Sequence, residues 1–156
     1  MRAEPGTYAL ILRNSSATRL HIGALGRIDP EPGYYIYVGS AFGPGGVRAR
    51  VARHLRRTKA CHWHIDYLSG LCSPIAVWYS HGGERLEHEW AQALCDMSAM
   101  SAVKGFGCTD CRCHSHLFQT PTTPDVARFS AAATGRIEVW SCPDAAEDAS
   151  SHEHRN

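Results

Sequence analysis

The sequence has no long hydrophobic run and little net charge. Nowhere in its 156 residues is there a stretch close to the roughly 20 consecutive apolar positions that a membrane-spanning helix requires. The amino terminus lacks the basic-then-apolar layout of a secretory signal. These absences exclude a membrane-spanning helix and lead us to expect a cytoplasmic protein. The formal net charge of +1 gives no information about a polyanionic partner, so only the distribution of charge along the chain is informative.

The cysteines match neither a disulfide framework nor a complete zinc-binding motif. Seven cysteines in a chain without a secretory signal are typical of reduced thiols rather than of a disulfide framework. Cys108 and Cys111 have the spacing of a zinc knuckle, and Cys113 or His116 would complete the ligand set. No second, well-separated Cys-x-x-Cys pair is present. A structural Zn²⁺ is one interpretation of this segment. The other is a set of reduced residues in a tight turn capped by Asp110.

Short apolar runs and helical patterns follow one another along the chain. Apolar residues make up 44% and charged residues 20%, which is ordinary for one globular domain. We predict an α+β domain over residues 1–142 and a polar, disordered tail over residues 143–156. The predicted strands are Thr7–Arg13, Thr18–Gly26, Tyr34–Ala41, Ser73–Ser80 and Gly135–Ser141. The predicted helices are Val47–Arg57, His62–Gly70 and Gly82–Met97. We expect a hairpin turn between the first two strands, and we expect Gly39 to end the third.

The charge is concentrated in the middle of the chain. Six Arg or Lys residues, and no acidic residue, lie between Arg48 and Lys59. On the predicted helix Arg50 and His54 are four residues apart and share a flank, and Arg53 and Arg57 lie beside them. The pattern fits either a solvated basic helix or a surface that faces phosphates. If the helix faces phosphates, we predict that Arg48, Arg53 and Arg57 bind nucleic acid.

Three short motifs resemble those of the GIY-YIG nuclease superfamily. They are "GTY" at Gly6–Tyr8, "YVG" at Tyr37–Gly39 and the Arg-x-x-x-His of Arg50–His54. The chain is most similar to a branch sometimes fused to endonuclease III-type repair enzymes, through "GYYIYVGSA", "RVARH", "WHIDYL" and "GFGCTDCRCHSHLF". The resemblance covers a core of about residues 6–119. It implies a central antiparallel sheet of three or more strands flanked by helices.

The resemblance also implies a set of catalytic residues. Tyr8 and Tyr37 match the motif tyrosines, Arg50 the helix arginine, and His54 a histidine that some restriction enzymes of the family use. A glutamate from "ERLEHEW" would bind Mg²⁺ or Mn²⁺. Helical-wheel geometry does not choose between Glu87 and Glu89, since they lie on opposite flanks of the apolar face. Alignment with the branch favours Glu87 as the metal ligand, with Glu84 a distant third.

The chain departs from the family pattern at several positions. Thr7 and Val38 replace the motif isoleucines, and Arg19–Pro32 is an insertion between the two motifs. The late asparagine of the family has no counterpart, since the only asparagines are Asn14 and Asn156. In its place, the resemblance would have three residues of the cysteine-rich segment line the cleft. These residues are Asp110, Cys111 and His116.

Three functions are consistent with these patterns. The first is a metal-dependent endonuclease that cleaves DNA, in repair or recombination, with RNA as an open alternative. In it, Arg50 holds the phosphate, Tyr8 removes a proton with help from His54, and Tyr37 positions a water or phosphate. The second is a nucleic-acid-binding module that has lost cleavage, and the third is a zinc-stabilised interaction domain. The presence of all five predicted catalytic residues favours the first.

Overall fold

An antiparallel β-sheet forms the centre of the structure. The computed structural model describes residues 1–15, 17, 20–22, 26–56, 64–106 and 115–143. The strands are β1 (Gly6–Asn14), β2 (Leu20–Ile22), β3 (Gly26–Ile28), β4 (Gly33–Ala41), β5 (Ser73–His81), β6 (Ser101–Ala102), β7 (Leu117–Thr120) and β8 (Glu138–Ser141). The helices are α1 (Gly46–Leu55), α2 (His64–Ser69), α3 (Glu87–Cys95) and α4 (Val126–Ala132). Within these ranges the main sheet has six strands, in the order β6-β7-β4-β1-β5-β8.

The central position of β1 follows from its composition. It is almost continuously apolar and is buried on both faces, as expected of a strand covered from both sides. It pairs along most of its length with β4 and with β5. In these pairings Tyr8 lies opposite Gly39 on one side and Tyr79 on the other. The central strand therefore fixes the position of Tyr8 relative to both neighbours.

Helices cover both faces of the sheet. On the first face, Tyr8, Leu10 and Leu12 pack with Val47 and Val51 of α1 and with residues of α2. On the second face, the alternate residues of β1 pack with α3 and with Phe129 of α4. This division follows from the two-residue repeat of a strand. The result is a three-layer arrangement, which confirms the predicted α+β class with a central antiparallel sheet flanked by helices.

The predicted hairpin between the first two strands is wrong. β2 pairs with β3 in a separate two-stranded ribbon, and β1 pairs with β4 and β5. The physical reason is length, since β2 and β3 have three residues each and cannot cover a nine-residue strand, whereas β4 and β5 have nine each. Gly39 also does not end β4, because pairing with β1 continues to Ala41.

The second half of the chain differs most from the prediction. α3 begins at Glu87 rather than near Gly82, because Gly82 has a φ of 151° that a helix does not admit. The prediction also missed β6, β7 and α4. An available signal for α4 was Asp125, whose side chain caps the helix by accepting a hydrogen bond from the Ala127 N–H at 2.9 Å.

Several predictions lie outside the described residues. They concern the nucleic-acid contact at Arg57, the tail beyond Pro143, and the cysteine-rich segment, with Cys108, Asp110, Cys111 and Cys113. Among the helices that the structure describes, none has the length and apolar character needed to cross a membrane.

Candidate active site

A buried phenol–imidazole pair, formed by Tyr8 and His54, lies at the centre of the candidate site. β1 supplies Tyr8 and the last turn of α1 supplies His54, and both side chains are buried on the first face. The Tyr8 hydroxyl lies 2.7 Å from His54 Nε2. Two residues 46 positions apart in sequence thus form a short hydrogen bond in the core, where such bonds are electrostatically strong.

Arg50 and Tyr37 complete the first-face half of the site. Arg50 lies one turn before His54 on α1 and forms a hydrogen bond with the Tyr8 hydroxyl. The ring centroid of Tyr37 lies 6.5 Å from that of Tyr8 and 6.0 Å from that of His54. The structure therefore brings together four of the five residues predicted to be catalytic.

The protonation of Tyr8 follows from its surroundings. Burial, followed by the neighbouring Tyr37, raises the pKa of Tyr8 well above its ordinary value, and Arg50 opposes that rise. Tyr8 is therefore a neutral phenol at physiological pH. A guanidinium can only donate, so Tyr8 Oη accepts from Arg50. Its own O–H is then available to donate to His54 Nε2 in the tautomer whose hydrogen is on Nδ1. The three side chains form one continuous chain of hydrogen bonds.

Gly39 leaves space for Tyr8 on the neighbouring strand. A Cβ at Gly39 would overlap the Tyr8 hydroxyl and lie 2.6 Å from Tyr8 Cζ. The motif glycine is therefore needed because the tyrosine ring crosses directly over the β4 backbone, at the position where Tyr8 and Gly39 face each other.

We expect Gly39→Ala to lower the free energy of unfolding by about 1–3 kcal/mol, since an extra methyl group in a packed site forces side chains to move. Urea denaturation measures the change. The matched control is Gly83→Ala, because a Cβ at Gly83 meets nothing within 4 Å. Equal stability of the two variants would show that Tyr8 does not depend on the space above Gly39.

Glu87 begins α3 and reaches the end of β4 from the second face. Its Oε2 accepts a hydrogen bond from the Ser40 hydroxyl at 2.5 Å, and its Oε1 lies 2.8 Å from His116 Nδ1. Glu89 lies elsewhere, where its carboxylate accepts hydrogen bonds from the backbone N–H and the hydroxyl of Thr134. The structure thus separates the two glutamates that the helical wheel left equivalent.

The environment of Glu87 keeps its carboxyl group ionised. Burial alone would raise its pKa, but the hydrogen bonds from His116 and Ser40, with the nearby His88, outweigh burial and lower it. His116 Nδ1 also lies 3.3 Å from the Val38 carbonyl oxygen. A carbonyl can only accept, so Nδ1 carries the hydrogen and donates it to the Glu87 carboxylate.

His116, which the resemblance would have line the cleft, lies next to Glu87 in the structure. Its side chain is buried, and the His88 ring lies edge-on to it at 5.8 Å. Sequence reasoning missed Ser40 and His88. A signal for Ser40 was its position after the motif glycine, because neighbouring strand residues point to opposite faces. Gly39 faces Tyr8, so Ser40 faces the layer that contains α3.

The two halves of the site meet at this end of β4. Glu87 lies close enough to Tyr8 to contribute to the rise of the Tyr8 pKa. The hydrogen-bonded chain of Arg50, Tyr8 and His54 on one face therefore lies near an ionised carboxylate on the other.

The Glu87 carboxylate fits a hard divalent cation. Mg²⁺ often binds through one or two carboxylates, and keeps several waters. Each carboxylate oxygen accepts one of the two hydrogen bonds described above and has a further lone pair available. Among the described residues there is no group of three or more His, Cys, Asp or Glu side chains that would hold a metal by themselves. The donor set therefore suits a cation that also takes oxygen ligands from a phosphate.

An arginine-lined cavity of about 240 Å³ runs along the exposed flank of α1. Arg50, Arg53 and Arg56 line it, together with the glycine-rich turn before the helix. Arg48 is exposed on the same helix. Arg53 also forms a bidentate ion pair with Asp66 of α2, at 2.9 and 3.0 Å. Its predicted nucleic-acid contact stays a prediction, and its observed role is to join α1 to α2.

We expect Arg53→Met to lower the free energy of unfolding by about 3 kcal/mol, because it leaves the fully buried Asp66 carboxylate without its guanidinium. Chemical denaturation against Arg48→Met, an exposed position on the same helix, is the measurement. The double variant Arg53→Met/Asp66→Leu should recover most of the loss, since an apolar pair carries no buried charge. A single variant as stable as the native chain would contradict this role.

Comparison with known proteins identifies one family. A family model described as "Domain of unknown function DUF123" matches residues 7–139, which includes all the site residues described above. No curated protein matches the chain. No solved structure matches it.

Proposed function

The chain belongs to the family of the domain of unknown function DUF123, and we propose that it is a metal-dependent endonuclease that hydrolyses DNA phosphodiester bonds. The observation that carries the proposal is the continuous Arg50–Tyr8–His54 chain of hydrogen bonds with an ionised Glu87 beside it. The resemblance of its motifs to the GIY-YIG nucleases supports the same activity, and the branch fused to repair enzymes favours a repair substrate.

The proton-transfer chain suits the first step of hydrolysis. Arg50 lines the arginine cavity and contacts Tyr8, so a phosphate held by its guanidinium lies next to the phenol. The attacking water gives its proton to Tyr8 Oη as the Tyr8 hydroxyl proton passes to His54 Nε2. The phenol ends neutral, as its raised pKa requires, and the imidazole ends protonated.

Two further requirements of hydrolysis, a bound metal ion and a positioned water, would be met by Glu87 and Tyr37. Glu87 would hold Mg²⁺ or Mn²⁺, which stabilises the charge that develops on the phosphate and on the leaving oxygen. Ser40 and His116 fix both oxygens of that carboxylate, so its orientation is set before substrate binds. Tyr37, half-buried beside His54, would position the water or a phosphate oxygen.

A module that only binds nucleic acid has little use for this arrangement. Burying a phenol, an imidazole and a carboxylate lowers stability unless each is paired, and binding a phosphate needs only surface arginines. The alternative of a zinc-stabilised interaction domain depends on Cys108, Cys111 and Cys113, which lie outside the described residues. The proposal is tested with a panel of labelled DNA structures in Mg²⁺ or Mn²⁺ and in chelator. Metal-dependent cleavage supports it, and binding without cleavage in any metal would favour the non-catalytic module.

A further inference from the structure

A second cavity, of about 710 Å³, lies on the first face of the sheet next to the phenol–imidazole pair. The ends of α1 and α2 form part of its wall, and the start of β5 and the end of β8 form the rest. His54 lines this cavity and also contacts Tyr8. The volume is within the range of about 300–1,000 Å³ that small-molecule sites in proteins occupy.

Arg56 connects this second cavity to the arginine-lined cavity, since it lines both. Arg50 and Arg53 lie on successive turns of α1, and Arg56 directly follows the last residue of the helix. With the helical rise per residue, Arg56 lies about 9 Å along the axis from Arg50. One or two nucleotides of an extended strand span such a distance. A strand whose phosphate is at Arg50 therefore reaches the mouth of the second cavity.

The lining of the second cavity suits a planar ring with polar edges. Trp140 is half-buried, packs against the first-face core and lines the cavity. Leu71 and Pro74 add apolar surface, and the side chains of Ser69 and Ser73 add hydroxyl groups. Stacking on an aromatic side chain, with a few polar groups at the rim, is how proteins hold unpaired bases.

We propose that the second cavity binds an unpaired nucleobase of the strand whose backbone lies along Arg50 and Arg56. This inference rests on the proposed function and specifies its substrate class. The preferred substrate is a strand with an extrahelical or single-stranded nucleotide next to the cleaved bond. Fully paired duplex is a poorer substrate, because extracting a paired base costs unpairing and unstacking energy.

The test compares two labelled DNA molecules that differ by one base. Both carry a single unpaired nucleotide at the same position, but in one of them that nucleotide is abasic. Binding is measured without metal in a Glu87→Gln background, so that cleavage does not interfere. We expect Trp140→Ala to weaken binding of the base-carrying DNA about tenfold or more, and to leave the abasic DNA unchanged. The control is Val139→Ala, at the exposed neighbouring position on β8. It should not change the affinity for either DNA molecule.

Arg56→Gln gives a second, independent signature. It should weaken binding of both DNA molecules and reduce the slope of log affinity against log salt by about one, as the loss of one phosphate contact does. If Trp140→Ala unfolds, Trp140→Phe should keep the preference for the base-carrying DNA and Trp140→Leu should lose it.

The inference is overturned if the native site binds both DNA molecules equally, or if Trp140→Ala weakens both by the same factor. Its failure is distinguishable from that of the proposed function. Base-dependent binding without cleavage by the native chain would reject the nuclease and keep the cavity assignment. Cleavage by the native chain that does not depend on the unpaired base would keep the nuclease and reject the cavity assignment.

Discussion

Glu87→Gln is expected to lower metal-dependent cleavage at least about a thousandfold. A bound cation stabilises transition-state charge by several kcal/mol, and about 4 kcal/mol corresponds to that factor. Glutamine keeps the size of the side chain and can still accept from one of the two donors, Ser40 or His116, through its amide oxygen, but it does not hold a divalent cation through a charged carboxylate. Single-turnover cleavage of labelled DNA gives the rate, and calorimetric titration with Mn²⁺ gives the metal affinity of each protein.

The matched control for this substitution is Glu89→Gln, two residues away on the same helix. Glu89 is exposed and binds Thr134, so we expect its replacement to change cleavage less than about twofold, as for surface substitutions in general. DNA binding in the absence of metal should be the same in both variants. A cleavage rate that falls only for Glu89→Gln, or for neither variant, would show that Glu87 does not hold the metal.

Loss of cleavage must also be separated from loss of folding. The lowered pKa of Glu87 means that its carboxylate stabilises the fold at pH values above its unfolded pKa, and that this contribution disappears as pH falls through the folded pKa. Melting temperature should therefore decline more steeply at acidic pH in the native chain than in Glu87→Gln. At neutral pH both should be folded when cleavage is compared.

The sequence was most informative where contacts depend on local spacing. Arg50 and His54 lie one turn apart on a helix, so their shared flank follows from helical geometry. Tyr8 and Tyr37 lie within apolar runs whose strand character is plain from composition. The meeting of these four side chains could be predicted because motif resemblance placed both strands in the same sheet.

Contacts between distant segments could not be predicted in the same way. The helical wheel gives the direction of Glu87 and Glu89 around α3, but not which flank of α3 faces β4. That choice depends on tertiary packing, in which Ser40 is 47 positions from Glu87 in sequence. Arg53 shows the same limit, since its bidentate pairing with Asp66 depends on how α2 packs beside α1.

Tyr8→Phe is expected to reduce cleavage about 10²- to 10⁴-fold, the usual contribution of a positioned proton-transfer group. Phenylalanine fills the same buried space but has no hydroxyl to pass a proton to His54. The matched control is Tyr35→Phe, which removes the hydroxyl of another buried tyrosine on the first face. The hydroxyl of Tyr35 donates to the backbone carbonyl of Glu31 at 2.8 Å, away from the site. Its loss should lower stability by about 1 kcal/mol and leave the cleavage rate of the folded protein unchanged.

A double variant decides whether Tyr8 and His54 act as one unit. If protons pass from water through Tyr8 to His54, removing either residue interrupts the same transfer, so Tyr8→Phe/His54→Gln should be little slower than the slower single variant. Multiplicative losses would mean that the two side chains assist different steps. Full activity of Tyr8→Phe would remove the phenol from the mechanism and leave the 2.7 Å hydrogen bond with a structural role alone.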